Sequence, residues 1–254
     1  MADDQPTNWR NPPSGLALRQ DEVHVWLVNQ DEPLIPLAEL RNTLAEDERK
    51  RAERFHFERD RRRFIVARGI LRALLGHYLE AGAAQIEFSY SAYDKPGLAG
   101  SFAQSGLRFN ISHSQGMALL AFTMGRELGV DIEQIRPDFA TGDIAGRFFS
   151  ASEIAALDSL PPGTRAEAFF NCWTRKEAYI KAIGEGLSCP LDKFDVTLRP
   201  GEPAELLATR VQSEQASRWR MSALTPGGDF KAALIVEGDG WVLRCWKWPD
   251  AARL

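Results

Sequence analysis

The amino-acid sequence predicts an α+β fold built as a pseudo-twofold pair of two similar α/β halves. Three observations carry this expectation. Short strand-like runs with alternating or continuous apolar patterning are interspersed with long amphipathic helix patterns. The order strand, helix, helix, strand, strand, strand runs through the chain twice, offset by about 107 residues when Val23 is set against Val130. The chain has 254 residues, 44% hydrophobic and 26% charged, enough for one large domain or two small ones. In a duplicated fold of this kind the cleft between the halves is the natural ligand site.

Taken in order, residues 1–20 are polar and proline-bearing and read as a loose N-terminal arm, followed by an N-terminal half (21–126) and a C-terminal half (127–248). In the first half, "VHVWLV" (23–28) is a strand and "LAEDERKRAERF" (44–55) a helix with acidic residues near its start. "RDRRRFIVARGILRALLGHYLEAG" (59–82) is a long amphipathic helix, with Phe64, Ala67, Leu71, Leu74 and Leu75 at helical spacing and Gly82 as its stop. "IEFSYS" (86–91) is a strand, "YDKPGLAG" (93–100) a loop rich in breakers, and "RFNISHSQGMALLAF" (108–122) two strands joined near "SHSQG". The second half opens on the strand "GVDIEQI" (129–135) and continues with "SASEIAALDSL" (150–160), a short helix with a serine cap candidate. "AEAFFNCWTRKEAYIKAIGEG" (166–186) is its long helix, and "FDVTL" (194–198), "RWRMSAL" (218–224) and "FKAALIVEG" (230–238) are strands.

Bulk properties narrow the function classes. Lys plus Arg is 31 and Asp plus Glu is 35, a net charge of −4, so no global basic field argues for nucleic acid. Cys172, Cys189 and Cys245 are far apart and form no CxxC pair, which fits a reducing, cytoplasmic setting and gives no zinc signature. The start, "MADDQPTNWR", lacks the pattern of a signal peptide, and no apolar run approaches the ~18 residues of a membrane span.

Four constellations offer chemistry. In "LGVDIEQI" (128–135) the period-two alternation puts Asp131 and Glu133 on one face. Adjacent carboxylates repel and resist burial unless a cation or hydrogen bonds compensate, and a hard divalent cation does so well; a strand with one solvated face is the bland alternative. In "WTRKEAYIKAIGEG" (173–186), Trp173, Glu177 and Lys181 fall at i, i+4 and i+8 on one helical stripe. A surface Glu–Lys pair explains that spacing. The core-like residues around it (Phe169, Phe170, Tyr179, Ile180, Ile183) argue instead for an internal face, where Glu177 could complete a three-carboxylate set and Lys181 could face an anionic oxygen. In "NISHS" (110–114), Ser112 and His113 offer donors suited to a phosphate; no second ligand at metal spacing accompanies the histidine, and no G-x-S-x-G elbow exists. Finally, "RKRAERFHFERDRRR" (49–63) sets eight basic residues against three acidic ones. It reads as a solvated helix face, a nucleic-acid patch, or arginines for a polyphosphate ligand.

Together these pieces resemble the Sfp-type 4′-phosphopantetheinyl transferase family. The resemblance rests on "KPGL" (95–98), "FNISHS" (109–114), "GVDIE" (129–133), "RFFSASE" (147–153) and "WTRKEAYIKAIGEGLS" (173–188), in that order and spacing. It implies the fold of two similar halves. It also implies Mg²⁺-dependent transfer of phosphopantetheine from coenzyme A to a serine of an apo acyl or peptidyl carrier protein, with release of adenosine 3′,5′-bisphosphate. By position it makes Asp131, Glu133 and Glu177 the Mg²⁺ ligands, with Mn²⁺ also accepting such oxygen donors. Lys181 becomes the lysine beside the pyrophosphate, and Arg51, Arg63, Lys95, Ser112 and His113 become coenzyme A contacts. Glu177 is the first choice of general base and Glu153 the second. The sequence departs from the pattern at Glu48, where some members carry lysine, and at Phe64, where some carry a small hydroxyl residue. The expected protein is a cytoplasmic monomer that binds neither nucleic acid nor membrane. The competing readings are a coenzyme A- or carrier-binding member without catalysis, another Mg²⁺-dependent phosphoryl-transfer enzyme, and a nucleic-acid binder.

Overall fold

A computed structural model describes residues 7–136, 141–184, 186–210 and 216–248. The first half runs β1 (Glu22–Asn29), α1 (Leu37–Thr43), α2 (Glu46–Glu53), α3 (Glu58–Tyr78), β2 (Phe88–Tyr90), β3 (Pro96–Leu98), β4 (Leu107–Ser114) and β5 (Met117–Met124). The second runs β6 (Leu128–Gln134), α4 (Thr141–Phe148), α5 (Ala151–Asp158), α6 (Pro162–Ile183), β7 (Phe194–Val196), β8 (Leu206–Thr209), β9 (Trp219–Leu224) and β10 (Phe230–Glu237), and is followed by β11 (Val242–Lys247). The two orders match element for element, with one more helix and one more short strand in each half than the sequence reading expects.

Sheet topology repeats as well. β1–β5–β4 and β6–β10–β9 are antiparallel triplets of the same connectivity. One face of β1 (Val23, Val25, Leu27) packs against one face of β6 (Leu128, Val130, Ile132) and β10 (Leu234, Val236), so the sheets lie back to back. The other face of the first sheet, with Trp26 and Val28, is covered by Ile70, Leu71 and Leu74 of α3. Ala233 and Ile235 of the second sheet are covered by Phe169 and Phe170 of α6. The order of layers is therefore helix, sheet, sheet, helix. Each fully buried aliphatic side chain of this size stabilises by roughly 1.5–3 kcal/mol, so the sheet-on-sheet cluster is what binds the halves.

Local chemistry sets the ends of the elements. The β4–β5 hairpin turns through Gln115 and Gly116, both at positive φ, the twist that a two-residue hairpin loop requires. Ser150 caps α5 by accepting from the Glu153 N–H, while the Glu153 carboxylate accepts from the Ser150 N–H, a capping box. Helix α6 ends at Gly184 in the left-handed conformation. Helix α3 ends four residues before the expected stop at Gly82, because Glu80 takes a left-handed conformation and the Ala81 N–H closes on the Gly76 carbonyl at 2.8 Å.

Two expectations need correction. The last strand does not stay with the second half: β11 pairs parallel with β1, Val25 opposite Cys245, and forms the outer strand of the first sheet. Nor is the arm loose from residue 7 onward. Trp9 Nε1 donates to the Thr225 carbonyl at 2.7 Å, the Arg10 N–H to the Cys245 carbonyl, and Leu16 is buried in the first core. Among the described residues no helix is long and apolar enough to cross a membrane.

Candidate active site

The alternation in β6 sends Val130 and Ile132 into the sheet–sheet core and leaves Gly129, Asp131 and Glu133 facing α6. Gly129 lets the helix come close: a Cβ there would lie 2.6 Å from the Ala182 amide nitrogen. That approach brings Lys181 Nζ to 2.5 Å from Asp131 Oδ1 and 2.9 Å from Ser112 Oγ. Ser112 donates its proton to Asp131 Oδ1 at 2.7 Å, and Ser114 donates to Glu133 Oε2 at 2.7 Å.

The balance of charge at this seam is negative. Burial first, then the neighbouring Asp131 and Glu133 carboxylates, push Glu177 up to about 7 against the pull of Lys181. Glu133 is also raised, by burial and then by Asp131, although its Ser114 hydrogen bond opposes this. Asp131 is only 3% exposed, and its Oδ2 is buried without a hydrogen-bond partner. An orphaned carboxylate oxygen beside two further acids is a donor set that fits a hard cation. In this arrangement Lys181 holds the other oxygen of Asp131, and among the described residues no three ligating side chains have closed into a metal cage.

The remaining candidates separate. His113, next to Ser112 on β4, is exposed; crowding by protein atoms, then Lys181, holds its pKa below the ordinary value. Arg63 grips Asp31 in a bidentate pair at 2.6 and 2.7 Å beside the β4–β5 turn. Ser112 is buried and its hydroxyl is engaged by Asp131, Lys181 and the Ile132 N–H, so an anion reaching it has to displace one of them. Lys95 is not with the carboxylates. Its ammonium donates to the Ala182 carbonyl at 3.0 Å and pairs with Glu127, just before β6, and burial lowers its pKa despite that pairing. Arg51 lies on the exposed side of α2 with its guanidinium over the Phe64 ring. Trp173 stacks on Phe169 and meets Phe148 edge-on, an aromatic anchor one turn before Glu177.

Glu153, the second choice of base, is buried and fully engaged by the Ser150 N–H, the Val196 N–H and the Lys176 ammonium. Its place in the capping box of α5 was readable as S-x-x-E in residues 150–153. Glu48 has the same role in the first half: it is buried, accepts from the Ala45 N–H, and pairs with Arg68 and Arg72. This accounts for an acid where a lysine would be a ligand contact. Asn110 and Ser114 were not singled out by sequence reasoning; their signal was the alternation N-x-S-x-S along β4. A cleft of about 900 Å³ lies elsewhere, between the N-terminal arm, β8, β9 and β11, and contains none of these acids.

Comparison with known proteins matches the sequence of this chain to named relatives. The profile of the 4′-phosphopantetheinyl transferase superfamily matches residues 127–235, and that of the 4′-phosphopantetheinyl transferase N-terminal region matches residues 36–124. The chain is 42% identical over 238 residues to 4′-phosphopantetheinyl transferase HetI of Nostoc sp., covering 94% of this chain and 97% of that one. It is 33% identical to a putative 4′-phosphopantetheinyl transferase of Synechocystis sp., over 80% of this chain and 79% of the relative. It is 32% identical to 4′-phosphopantetheinyl transferase Sfp of Bacillus subtilis, over 61% of this chain and 66% of the relative.

Proposed function

This chain belongs to the 4′-phosphopantetheinyl transferase superfamily, and on that premise we propose that it transfers the 4′-phosphopantetheine group of coenzyme A to a serine of an apo acyl or peptidyl carrier protein, releasing adenosine 3′,5′-bisphosphate. The observation that carries this reading is the convergence of Asp131, Glu133, Glu177 and Lys181 at the seam where β4 of one half meets β6 of the other.

Asp131, Glu133 and Glu177 are the residues that would hold Mg²⁺, or Mn²⁺ in its place. Bound there, the cation would supply positive charge to neutralise and orient the coenzyme A diphosphate. The carrier serine oxygen attacks the phosphorus that bears the pantetheine arm, and the bond from that phosphorus to the bridging oxygen breaks. Lys181 faces the phosphate oxygens and stabilises the charge that builds on them. Glu177 accepts the serine proton; Glu153 is committed to its cap and its lysine. We assign the remaining coenzyme A phosphate contacts to His113 and Arg63. Arg51 adds attraction from an exposed helix face, and Lys95, already paired with Glu127, has a supporting role. The reading takes the protein as a cytoplasmic monomer, since the duplicated fold supplies its own partner half.

The test is mass spectrometry of a panel of apo carrier proteins incubated with coenzyme A, Mg²⁺ and the protein. A serine should gain the mass of phosphopantetheine, and Asp131→Ala should abolish the gain while remaining folded. Binding of coenzyme A without mass gain on any carrier would replace the reading by that of a non-catalytic binding member. Full activity of Asp131→Ala would remove the metal assignment.

A further inference from the structure

The two halves meet edge to edge at β4 and β6, yet these strands belong to different sheets. Along β6 and the residue flanking it at each end, 127, 129, 131, 133 and 135 are the positions whose main chain faces β10, as the bonds at Glu127 and Ile135 fix the phase. The N–H groups of Val130, Ile132 and Gln134 therefore point toward β4. Val130 and Ile132 are fully buried, so an unmet N–H there is costly. No backbone carbonyl of β4 meets them. The Val130 N–H donates to Asn110 Oδ1 at 3.0 Å, the Ile132 N–H to Ser112 Oγ at 3.4 Å, and the Gln134 N–H to Ser114 Oγ at 3.3 Å. Both strands advance two residues per step, so three side chains substitute for a parallel ladder.

Each serine in this series does a second job. A hydroxyl has one proton to donate and two lone pairs to accept with. Ser112 gives its proton to Asp131 and Ser114 gives its own to Glu133, both at 2.7 Å. In each case the carboxylate belongs to the residue just before the N–H that the same oxygen accepts. The step without a carboxylate confirms the logic of the residue types: before Val130 stands Gly129, and there the β4 residue is Asn110, from which only an acceptor is used.

We propose that Asn110, Ser112 and Ser114 form a side-chain ladder that closes the free edge of β6 and orients the carboxylates of Asp131 and Glu133, with Ser114 as the positioning residue for Glu133. The orienting half of this statement rests on the metal-site reading above; the ladder half does not. Ser114 touches no reacting atom. Its shorter bond is to Glu133, so its loss acts more on the carboxylate than on the strand edge. Hydrogen bonds from outer partners to metal-binding carboxylates typically govern cation affinity by 10–100-fold.

The test uses the full chain with Ser114→Ala, and with Ser114→Cys, which keeps the shape but is a poor donor, in case the alanine variant does not fold. Mn²⁺ is titrated alone and again with coenzyme A, with Asp131→Ala as the control for the site. Amide hydrogen exchange at Gln134 is followed in the cation-free protein. Ser114→Ala should weaken Mn²⁺ binding about 10-fold or more and speed exchange at Gln134, and Ser114→Thr should restore both. Unchanged Mn²⁺ affinity in a folded Ser114→Ala overturns the positioning role, and unchanged exchange at Gln134 overturns the ladder. If Mn²⁺ binds Asp131→Ala as well as it binds the wild type, the metal-site reading itself fails and the orienting role falls with it, while exchange still decides the ladder.

Discussion

Gly129→Ala should damage both stability and activity, and the size of the effect follows from one approach distance. A Cβ at 129 would sit 2.6 Å from the Ala182 nitrogen and closer still to the Ala178 carbonyl oxygen, where ordinary contact begins at 3.4 Å. Both atoms are backbone atoms of α6, so no side chain can swing aside. Strand β6 and helix α6 must separate by about 1 Å, and overpacking of this kind costs roughly 1–3 kcal/mol. The separation also stretches the 2.5 Å Lys181–Asp131 bond, and hydrogen bonds to charged groups contribute about 1.5–3 kcal/mol each. A total near 3 kcal/mol lowers Tm by about 6–12 °C in a chain of this size. The catalytic loss should be larger than stability alone implies. Glu177 and Lys181 ride on the helix and Asp131 and Glu133 on the strand, and a misplacement of ~1 Å typically costs about 100-fold in rate. Circular-dichroism melting and steady-state transfer to a carrier protein read the two effects. Gly146→Ala in α4 is the control, since its added Cβ meets nothing within 4 Å and should be neutral or slightly stabilising. Wild-type Tm and kcat in Gly129→Ala would refute the argument that this glycine sets the site.

Three other perturbations have definite expected outcomes. Lys181→Ala should lower kcat by at least about 100-fold with a smaller effect on coenzyme A affinity, and an unchanged kcat removes its role at the phosphate oxygens. Glu153→Gln leaves the fully buried Lys176 ammonium without its counter-charge. Breaking such a pair costs about 3–5 kcal/mol, read as a fall in the urea midpoint, and pairing it with Lys176→Met should recover much of the loss. Burial holds His24 down at about 4, against the opposing effect of Glu22, so the folded state binds this proton less readily than the unfolded state. Stability from this group is complete above the unfolded pKa near 6.5 and is lost as pH falls toward 4. The loss is up to about 3 kcal/mol, and urea titrations at pH 7 and pH 4.5 should show it in the wild type and not in His24→Gln.

What could be read in the sequence was whatever depends on local period. The alternation of "LGVDIEQI" placed Val130 and Ile132 opposite Asp131 and Glu133, and the i, i+4 spacing placed Glu177 and Lys181 on one stripe of α6; both arrangements are found. The hairpin at "SHSQG" and the Ser150 cap follow from turn and cap chemistry, which acts over a few residues. What escaped depends on partners distant in sequence. Nothing in "VLRCWK" says that β11 leaves its own half to pair with β1. The resemblance made Lys95 of "KPGL" a coenzyme A contact, and nothing in those four residues shows that its ammonium meets Glu127 and the Ala182 carbonyl at the end of α6. The double duty of Ser112 and Ser114 needs two sheets brought edge to edge before it exists at all.

The duplication explains why the chain has one such seam rather than two. Both halves keep the same buried device, a glutamate that caps the short helix and pairs with a cation on the long one: Glu48 with Arg68 and Arg72, Glu153 with Lys176. Such pairs are hard to lose one member at a time, because the survivor is left charged and buried. The strand faces beneath the long helices have diverged. Under α6 lie Asp131 and Glu133. Under α3 lie His24, Trp26 and Val28, with the Tyr78 hydroxyl bonded to both His24 and Trp26, so aromatic rings fill the volume in which a cation and a diphosphate would sit. The edge has diverged too. The counterpart of β6 facing β4 would be β1 facing β9, but β11 lies along the outer edge of β1 and satisfies its backbone with a true parallel ladder. Where the edge is closed by main chain, no side-chain ladder is needed and no gap one side chain wide remains. Where it is closed by Asn110, Ser112 and Ser114, the gap, the carboxylates and the lysine come together at the same place.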